Sequence, residues 1–300
     1  MNYLILGANG QVGRALQKTF SGLGHGIALG RDGCDLHNPK NIEEALDTHK
    51  PQVILNAAAY TAVDGAEDDP SAAEAINTTA VKVLARWAKQ NEALLVHYST
   101  DYVFDGSKEG AYTEADTPNP LSVYGRTKRE GEKAIQETGC KHLIFRTSWV
   151  YDLAGKNFPN TMLRLAKERD QLNVIDDQHG APTHADLIAQ VTRECAKTYL
   201  NAPAPASTPL DGIYNLVPKG ETTWHGFARH LIAAANDSLD LTCGAENVHP
   251  IPSSAYPVKA TRPKNSRLSV EKIEQAFNLT LPDWTEHANL FLKNFIKEHQ

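Results

Sequence analysis

Four cysteines in 300 residues, Cys34, Cys140, Cys195 and Cys243, stand tens of residues apart with no Cys-x-x-Cys among them. That scarcity excludes a disulfide framework and a structural zinc site, and the 12 histidines add no His-x-His or His-x-x-x-His pair. Long apolar runs are missing as well. Stretches such as Val53-Ile54-Leu55 and Leu94-Leu95-Val96 are strand-sized, far short of the ~20 residues of a membrane helix. An excess of positive charge is also lacking: 30 Lys and Arg against 36 Asp and Glu leave −6, the wrong sign for holding nucleic acid through an overall field. The amino end, Met1-Asn2-Tyr3-Leu4-Ile5-Leu6-Gly7, has no basic region and reads as a first β-strand, not a secretory signal. A protein without paired thiols, leader or span is expected in the cytoplasm.

What is present is ordinary globular composition, 41% apolar and 22% charged. The length suggests one large or two smaller domains. The first half alternates short β-branched runs with helical stretches: Tyr3 to Leu6 then Val12 to Phe20, Ile27 to Leu29 then Ile42 to His49, Val53 to Leu55 then Ala72 to Lys89. Leu94 to His97, a helix from about Pro120 to Glu137 capped by Asn119, and His142 to Arg146 continue the series. Such alternation predicts an α/β fold with a doubly wound parallel sheet over residues 1–150. Beyond 150 the rhythm is lost: a helix near Thr161 to Glu168, a strand Leu172 to Ile175, a helix Ala185 to Tyr199 and a proline-rich connector from Asn201 to Pro209. Residues 151–300 are expected to form mainly a smaller α/β substrate domain, with segments near 183–215 packing back onto the first.

Gly7-Ala-Asn-Gly10-Gln11-Val12-Gly13 lies between the first strand and helix. A strand-to-helix turn alone gives glycines there, but at the head of a βα series they let the backbone approach a pyrophosphate at a helix N-terminus. About 20 residues on, where an acid usually grips the ribose of NAD, the chain has Leu29-Gly30-Arg31. Without that carboxylate, and with Arg31 to pair a 2′-phosphate, NADPH is the expected cofactor, with NADH tolerated. Ala58, within Asn56-Ala-Ala-Ala59, and Thr100, within Ser99-Thr-Asp101, follow the third and fourth strands and should meet Gly7 on one sheet edge.

Tyr124-Gly-Arg-Thr-Lys128 puts a phenol and an ammonium one helical turn apart, on the same face. A cation nearby favours phenolate and is expected to bring tyrosine toward the range where it exchanges protons with a carbonyl oxygen. The spacing itself arises about 0.6 times by chance in such a chain, so position carries the argument. Lys259, Arg262, Lys264 and Arg267, with no acid between Glu246 and Glu271, suit a diphosphate, or else form a solvated basic loop. Trp149 floors a sugar pocket or fills a domain junction, and Glu114 with Asp116 reads as a polar loop.

Together these residues resemble the extended short-chain dehydrogenase/reductases and, within them, the dTDP-4-dehydrorhamnose reductases. The likeness covers essentially the whole chain, through Asn56-Ala-Ala-Ala-Tyr-Thr-Ala-Val-Asp64, His97-Tyr-Ser-Thr-Asp-Tyr-Val-Phe104, Arg146-Thr-Ser-Trp-Val-Tyr151, Gly180-Ala-Pro-Thr183 and Arg262-Pro-Lys-Asn-Ser-Arg267. It implies reduction of the C4 ketone of a dTDP-4-dehydro-β-L-rhamnose substrate, with Thr100, Tyr124 and Lys128 catalytic and Asp101 and Trp149 at the sugar. Arg262, Asn265 and Arg267 are expected at the substrate too. Gly10, Gln11, Val12, Asp35, Leu36, Ala59, Tyr60, Thr61 and Tyr98 would line the cofactor site with Tyr124 and Lys128. Some family members look like dimers bridged by magnesium through glutamates. Those positions fall here at Ala15, Asp186 and Asn294, so no metal is expected and the chain is read as a monomer or unbridged homodimer. Other functions compete: an NAD-dependent sugar-nucleotide epimerase, which Gly30-Arg31 disfavours, a related dTDP-4-ketohexose reductase, and a non-catalytic partner like the regulatory subunit of methionine adenosyltransferase, which the intact Thr100, Tyr124 and Lys128 disfavour.

Overall fold

The computed structural model of the protein describes residues 1–202 and 210–299, so the proline-rich connector falls, from residue 203 to 209, outside the described residues. β1 (Asn2–Leu6) sends Tyr3 and Ile5 into the core on one face and Leu4 and Leu6 into the core on the other. A strand with every inner position apolar belongs in the middle of a parallel sheet covered on both sides. Burial on both faces repeats in β3 (Val53–Asn56), β4 (Leu94–Thr100) and β5 (His142–Thr147), while β2 (His25–Leu29) is a more exposed edge strand; the strands are separated by α1 (Gln11–Phe20), α2 (Pro39–His49), α3 (Val63–Asp68), α4 (Pro70–Glu74), α5 (Ala80–Gln90) and α6 (Val123–Thr138).

The remainder runs β6 (Val150–Tyr151), α7 (Phe158–Glu168), β7 (Leu172–Ile175), β8 (His179–Gly180), β9 (Thr183–His184), α8 (Ala185–Asn201), β10 (Gly212–Asn215), β11 (Thr222–Thr223), α9 (Trp224–Ala235), β12 (Val248–Ile251), α10 (Glu271–Phe277) and α11 (Trp284–His299). The main sheet is six-stranded and parallel, in the order β10-β5-β4-β3-β1-β2. The chain leaves β1 for β2 on one side and returns to β3 on the other, which opens a crevice above their carboxyl ends.

One face of this sheet is filled by Leu16 and Phe20 of α1, Ile188 of α8, and Ile273 and Phe277 of α10. The opposite face is filled by Leu46 of α2, Leu84 and Trp87 of α5, and Ile135 of α6. Side chains of this size contribute roughly 1.5–3 kcal/mol each when fully buried. A separate apolar centre forms where Tyr151, Phe227, Trp284 and Phe291 meet.

Two helices differ from the pattern read in the sequence. The single helix expected over Ala72 to Lys89 is α4 and α5 joined by a π-helical turn at Ala75–Thr79. The widened turn carries buried Asn77, whose Oδ1 accepts from the Tyr60 amide at 2.9 Å while its Nδ2 donates to the Tyr60 carbonyl and the Thr127 hydroxyl. α6 begins at Ser122, whose hydroxyl accepts from the Gly125 amide, and not at Asn119. Asn119 instead donates to Asp105, which leaves the loop ahead of the helix extended. Gly139, at φ 59°, ends the helix as its spacing predicts.

Candidate active site

The glycine loop shows why it has no side chains. Gly7 is at φ +78°, and a Cβ there would lie 2.6 Å from the Ala58 amide nitrogen. A Cβ on Gly13 would lie 2.1 Å from the Gly7 carbonyl oxygen, so α1 could not sit this close to β1. Gly10 caps α1 without a side-chain hydrogen bond, and the first turn holds no acid. Its free amides face a cavity of about 640 Å³, the arrangement that receives an anion at a helix N-terminus. Bare amides, a cradle that any Cβ would fill and the adjoining small side chains Ala58 and Ala59 fit a dinucleotide.

That cavity gathers most of the residues singled out in the sequence. Gly7, Gly10, Gln11, Val12, Arg31, Asp35, Leu36, Ala58, Ala59, Thr61 and Tyr98 line one part, and Thr100, Asp101, Tyr124, Lys128 and Trp149 the other. Gly13 and Tyr60 are not in its wall: Gly13 serves helix packing, and the Tyr60 backbone is held by Asn77.

Tyr124 is half-buried beside Tyr102, ring edge to face at 5.5 Å between centroids. Burial pushes its phenol up to about 12, with the Thr100 hydroxyl beside it pulling the other way and Asp101 adding to the rise. The expectation that Lys128 brings the phenol down is therefore not met: Lys128 is not among the groups that move it, and its Nζ turns elsewhere. That Nζ donates to the Tyr98 carbonyl oxygen at 2.6 Å and lies 3.2 Å from His97 Nε2. Burial lowers the lysine to about 8, against the raising effect of Glu132. Thr100 donates to Asp101 Oδ1 at 3.0 Å. Burial lifts the Asp101 carboxyl to about 6.

The cationic stretch is neutralised in space by acids distant in sequence. Lys259 pairs with Asp68 at 2.6 Å, Arg262 with Asp64 at 2.8 Å, Lys264 with Asp177 at 3.2 Å and Arg267 with Glu221 at 3.1 Å. Neither Arg262 nor Arg267 lines the cavity. Asn265 spends its amide inside the protein, donating to the Lys108 and Gly110 carbonyls and accepting from Arg267, so it shapes the loop and offers nothing to a ligand. Trp149 lines the cavity and also stacks on Trp224, with 3.8 Å between ring centroids, its backbone at φ 49°, a left-handed conformation rare for a bulky residue.

Four buried polar residues escaped the sequence reading. His97 and Asn56 lie beneath Lys128, with Asn56 Nδ2 3.1 Å from His97 Nδ1. Glu132 and Arg146 form a buried ion pair behind Ser99. A signal was available: a histidine, asparagine or arginine inside a strand buried on both faces must have a partner.

A family model described as the RmlD substrate binding domain matches residues 1–297. A dTDP-4-dehydrorhamnose reductase of Salmonella typhimurium is 47% identical, the alignment covering 95% of this chain and 94% of that protein. One of Burkholderia thailandensis is 44% identical over 99% of this chain and 100% of its own. Among solved structures, a dTDP-4-dehydrorhamnose reductase from Bacillus anthracis in complex with NADP superposes with a TM-score of 0.87 at 31% identity, covering 99% of this chain and 98% of that one.

Proposed function

The chain belongs to the family of the RmlD substrate binding domain, and from that starting point we propose how its residues carry out the reaction. The reaction is the NADPH-dependent reduction of the C4 ketone of dTDP-4-dehydro-β-L-rhamnose to dTDP-L-rhamnose. NADPH, when bound, supplies the hydride to the C4 carbon. Tyr124 gives its phenolic proton to the C4 oxygen. Kept up to about 12 by burial, the phenol is fully protonated at neutral pH, the form an acid needs. The Thr100 hydroxyl, turning its single hydrogen from Asp101 to the substrate, orients the same oxygen. Lys128 holds the nicotinamide ribose, the bare amides of α1 take the pyrophosphate, and Arg31 receives the 2′-phosphate. Trp149 and Asp101 border the sugar.

The observation that carries this reading is that Tyr124, with the Thr100 hydroxyl beside its phenol, lines the same cavity as the glycine cradle. The test is NADPH oxidation followed by absorbance with dTDP-4-dehydrorhamnose, comparing wild type with Tyr124→Phe. Turnover should fall about 10²-fold or more with NADPH affinity unchanged. Equal turnover by the variant would remove Tyr124 from the mechanism.

We further propose a division into residues 1–150 with 183–215 around the sheet and 151–300 mainly at the substrate. The expected partner is a dTDP-sugar and the expected compartment the cytoplasm. No helix among the described residues is long and apolar enough to cross a membrane. A monomer or a homodimer without bridging magnesium is the reading for solution. At the positions in question stand Ala15, Asn294 and Asp186, and Asp186 is paired with Lys18 at 3.3 Å. Light scattering should give the same mass with magnesium and with chelator.

A further inference from the structure

An ammonium has three hydrogens to place, and a buried one is costly if they find no acceptor. Lys128, 1% exposed, meets two acceptors on β4, the Tyr98 carbonyl oxygen at 2.6 Å and His97 Nε2 at 3.2 Å. With two hydrogens taken up on β4, the third is left for a ligand in the cavity that Lys128 lines. Glu132, one turn further along α6, is not a partner. Its carboxylate is engaged by Arg146, Arg129 and Ser99.

His97 is itself fully enclosed, and its Nδ1 faces the Asn56 amide at 3.1 Å. A primary amide carries a donor at one end and an acceptor at the other. When the imidazole carries its hydrogen on Nε2, Asn56 Nδ2 donates to bare Nδ1. When the hydrogen is on Nδ1, the amide turned end for end presents Oδ1, which has no other partner. His97 Nε2 is thereby free to accept from an ammonium or to donate to an amine. A carboxylate in its place could only accept, and would hold the charge on the lysine.

We infer that His97, backed by Asn56, is a positioning residue that keeps Lys128 aimed at the cofactor in both of the lysine's protonation states. The inference rests on the reading of Lys128 as the residue that holds the nicotinamide ribose. Few other groups bear on the pair. Glu132 acts on Lys128 from its own helix, and Lys128 in turn disfavours protonation of His97, which burial already keeps neutral. From β5 comes Arg146, committed to Glu132; from β3 comes Asn56, uncharged; from β4 comes the Tyr98 phenol, bonded to Thr192. Lys128, brought to about 8, is the group of this set whose charge changes just above neutral pH.

The experiment is the pH profile of kcat in wild type, His97→Gln, His97→Leu and Lys128→Met. Leucine removes the acceptor and disfavours the ammonium, so the alkaline limb should move about one pH unit lower, with kcat about twofold down at about pH 7 and nearly tenfold down at about pH 9. Glutamine, an amide able to accept and to donate, should return both close to wild type. Should the leucine variant not fold, His97→Asn, too short to reach Nζ, should show the displaced limb that glutamine does not. An unmoved limb in a folded leucine or asparagine variant, or no rescue by glutamine, overturns the assignment of His97. If Lys128→Met retains wild-type turnover, the reading of Lys128 itself fails, and the two failures are told apart.

Discussion

Arg146 meets Glu132 at two points, Nε and Nη2 on separate carboxylate oxygens at 2.8 and 2.7 Å, and neither side chain reaches solvent. The carboxylate also accepts from the Ser99 hydroxyl at 2.6 Å, so α6, β5 and the end of β4 are tied at one place. Despite burial, these partners hold Glu132 below the usual carboxylate range. Glu132→Ala would leave a buried guanidinium unpaired, and the expected cost is about 3–5 kcal/mol. Urea unfolding at neutral pH measures it. A loss under ~1 kcal/mol would mean that the arginine finds other partners.

Gly13→Ala should act on both folding and binding. The new methyl falls on the Gly7 carbonyl and pushes α1 from β1, at an expected 1–3 kcal/mol of stability and at least about tenfold in NADPH affinity. Gly22→Ala is the control. Gly22 has φ +84° with nothing near its missing Cβ, so alanine there should cost only about 1 kcal/mol of backbone strain and leave affinity unchanged. Titration of nucleotide fluorescence distinguishes the two.

Asp101 is 3% exposed, and its Oδ2 has no partner. Its carboxyl titrates near 6 in the fold and near ~3.9 in an unfolded chain, so the folded state holds the proton more tightly. The contribution of Asp101 to stability should then fall as pH rises from about 4 to about 6, and stay lower above that. Asp101→Asn abolishes this dependence and should be more stable than wild type by roughly 1–3 kcal/mol at neutral pH, the gain vanishing below about pH 4. Denaturation midpoints across that range check it; a constant difference would place the ionisation elsewhere.

Arg31 is exposed on the cavity rim, past a turn that has no acid at the position read for ribose. Arg31→Ala should weaken NADPH about 10- to 100-fold, as loss of a charge-assisted contact does, and leave NADH nearly as before. Steady-state KM values for the two nucleotides decide it. A parallel loss for both would show that Arg31 supports the loop and does not read the 2′-phosphate.

The parts of the site that were legible in the sequence are local. Gly7 to Gly13, Ser99 to Asp101 and Tyr124 to Lys128 each lie within one turn, strand end or helix face, and a rule about the sheet edge brings them together. Pairings made across the fold were hidden. That Asp64 and Asp68 would neutralise Arg262 and Lys259 depends on a loop crossing from the last part of the chain. Asn56 reaching His97, and Glu132 reaching Arg146, depend on strand order and on which face each residue takes. The π-helical turn before α5 was invisible for another reason, since helix propensity and apolar spacing do not register one additional residue in a turn.

Strand β10, helix α8 and helix α10 have a temporal consequence. The sheet that floors the nucleotide crevice takes its edge strand from residues 212–215, and one of its faces is closed by Ile273 and Phe277. A nascent chain leaving the ribosome therefore holds the whole glycine loop and the Tyr124 helix long before β5 gains its edge partner, which is complete only when about seven-tenths of the polypeptide has been made, and longer still before α10 closes over β10. Stopping synthesis at residue 150 should yield a chaperone client or aggregate in place of a miniature nucleotide-binding protein.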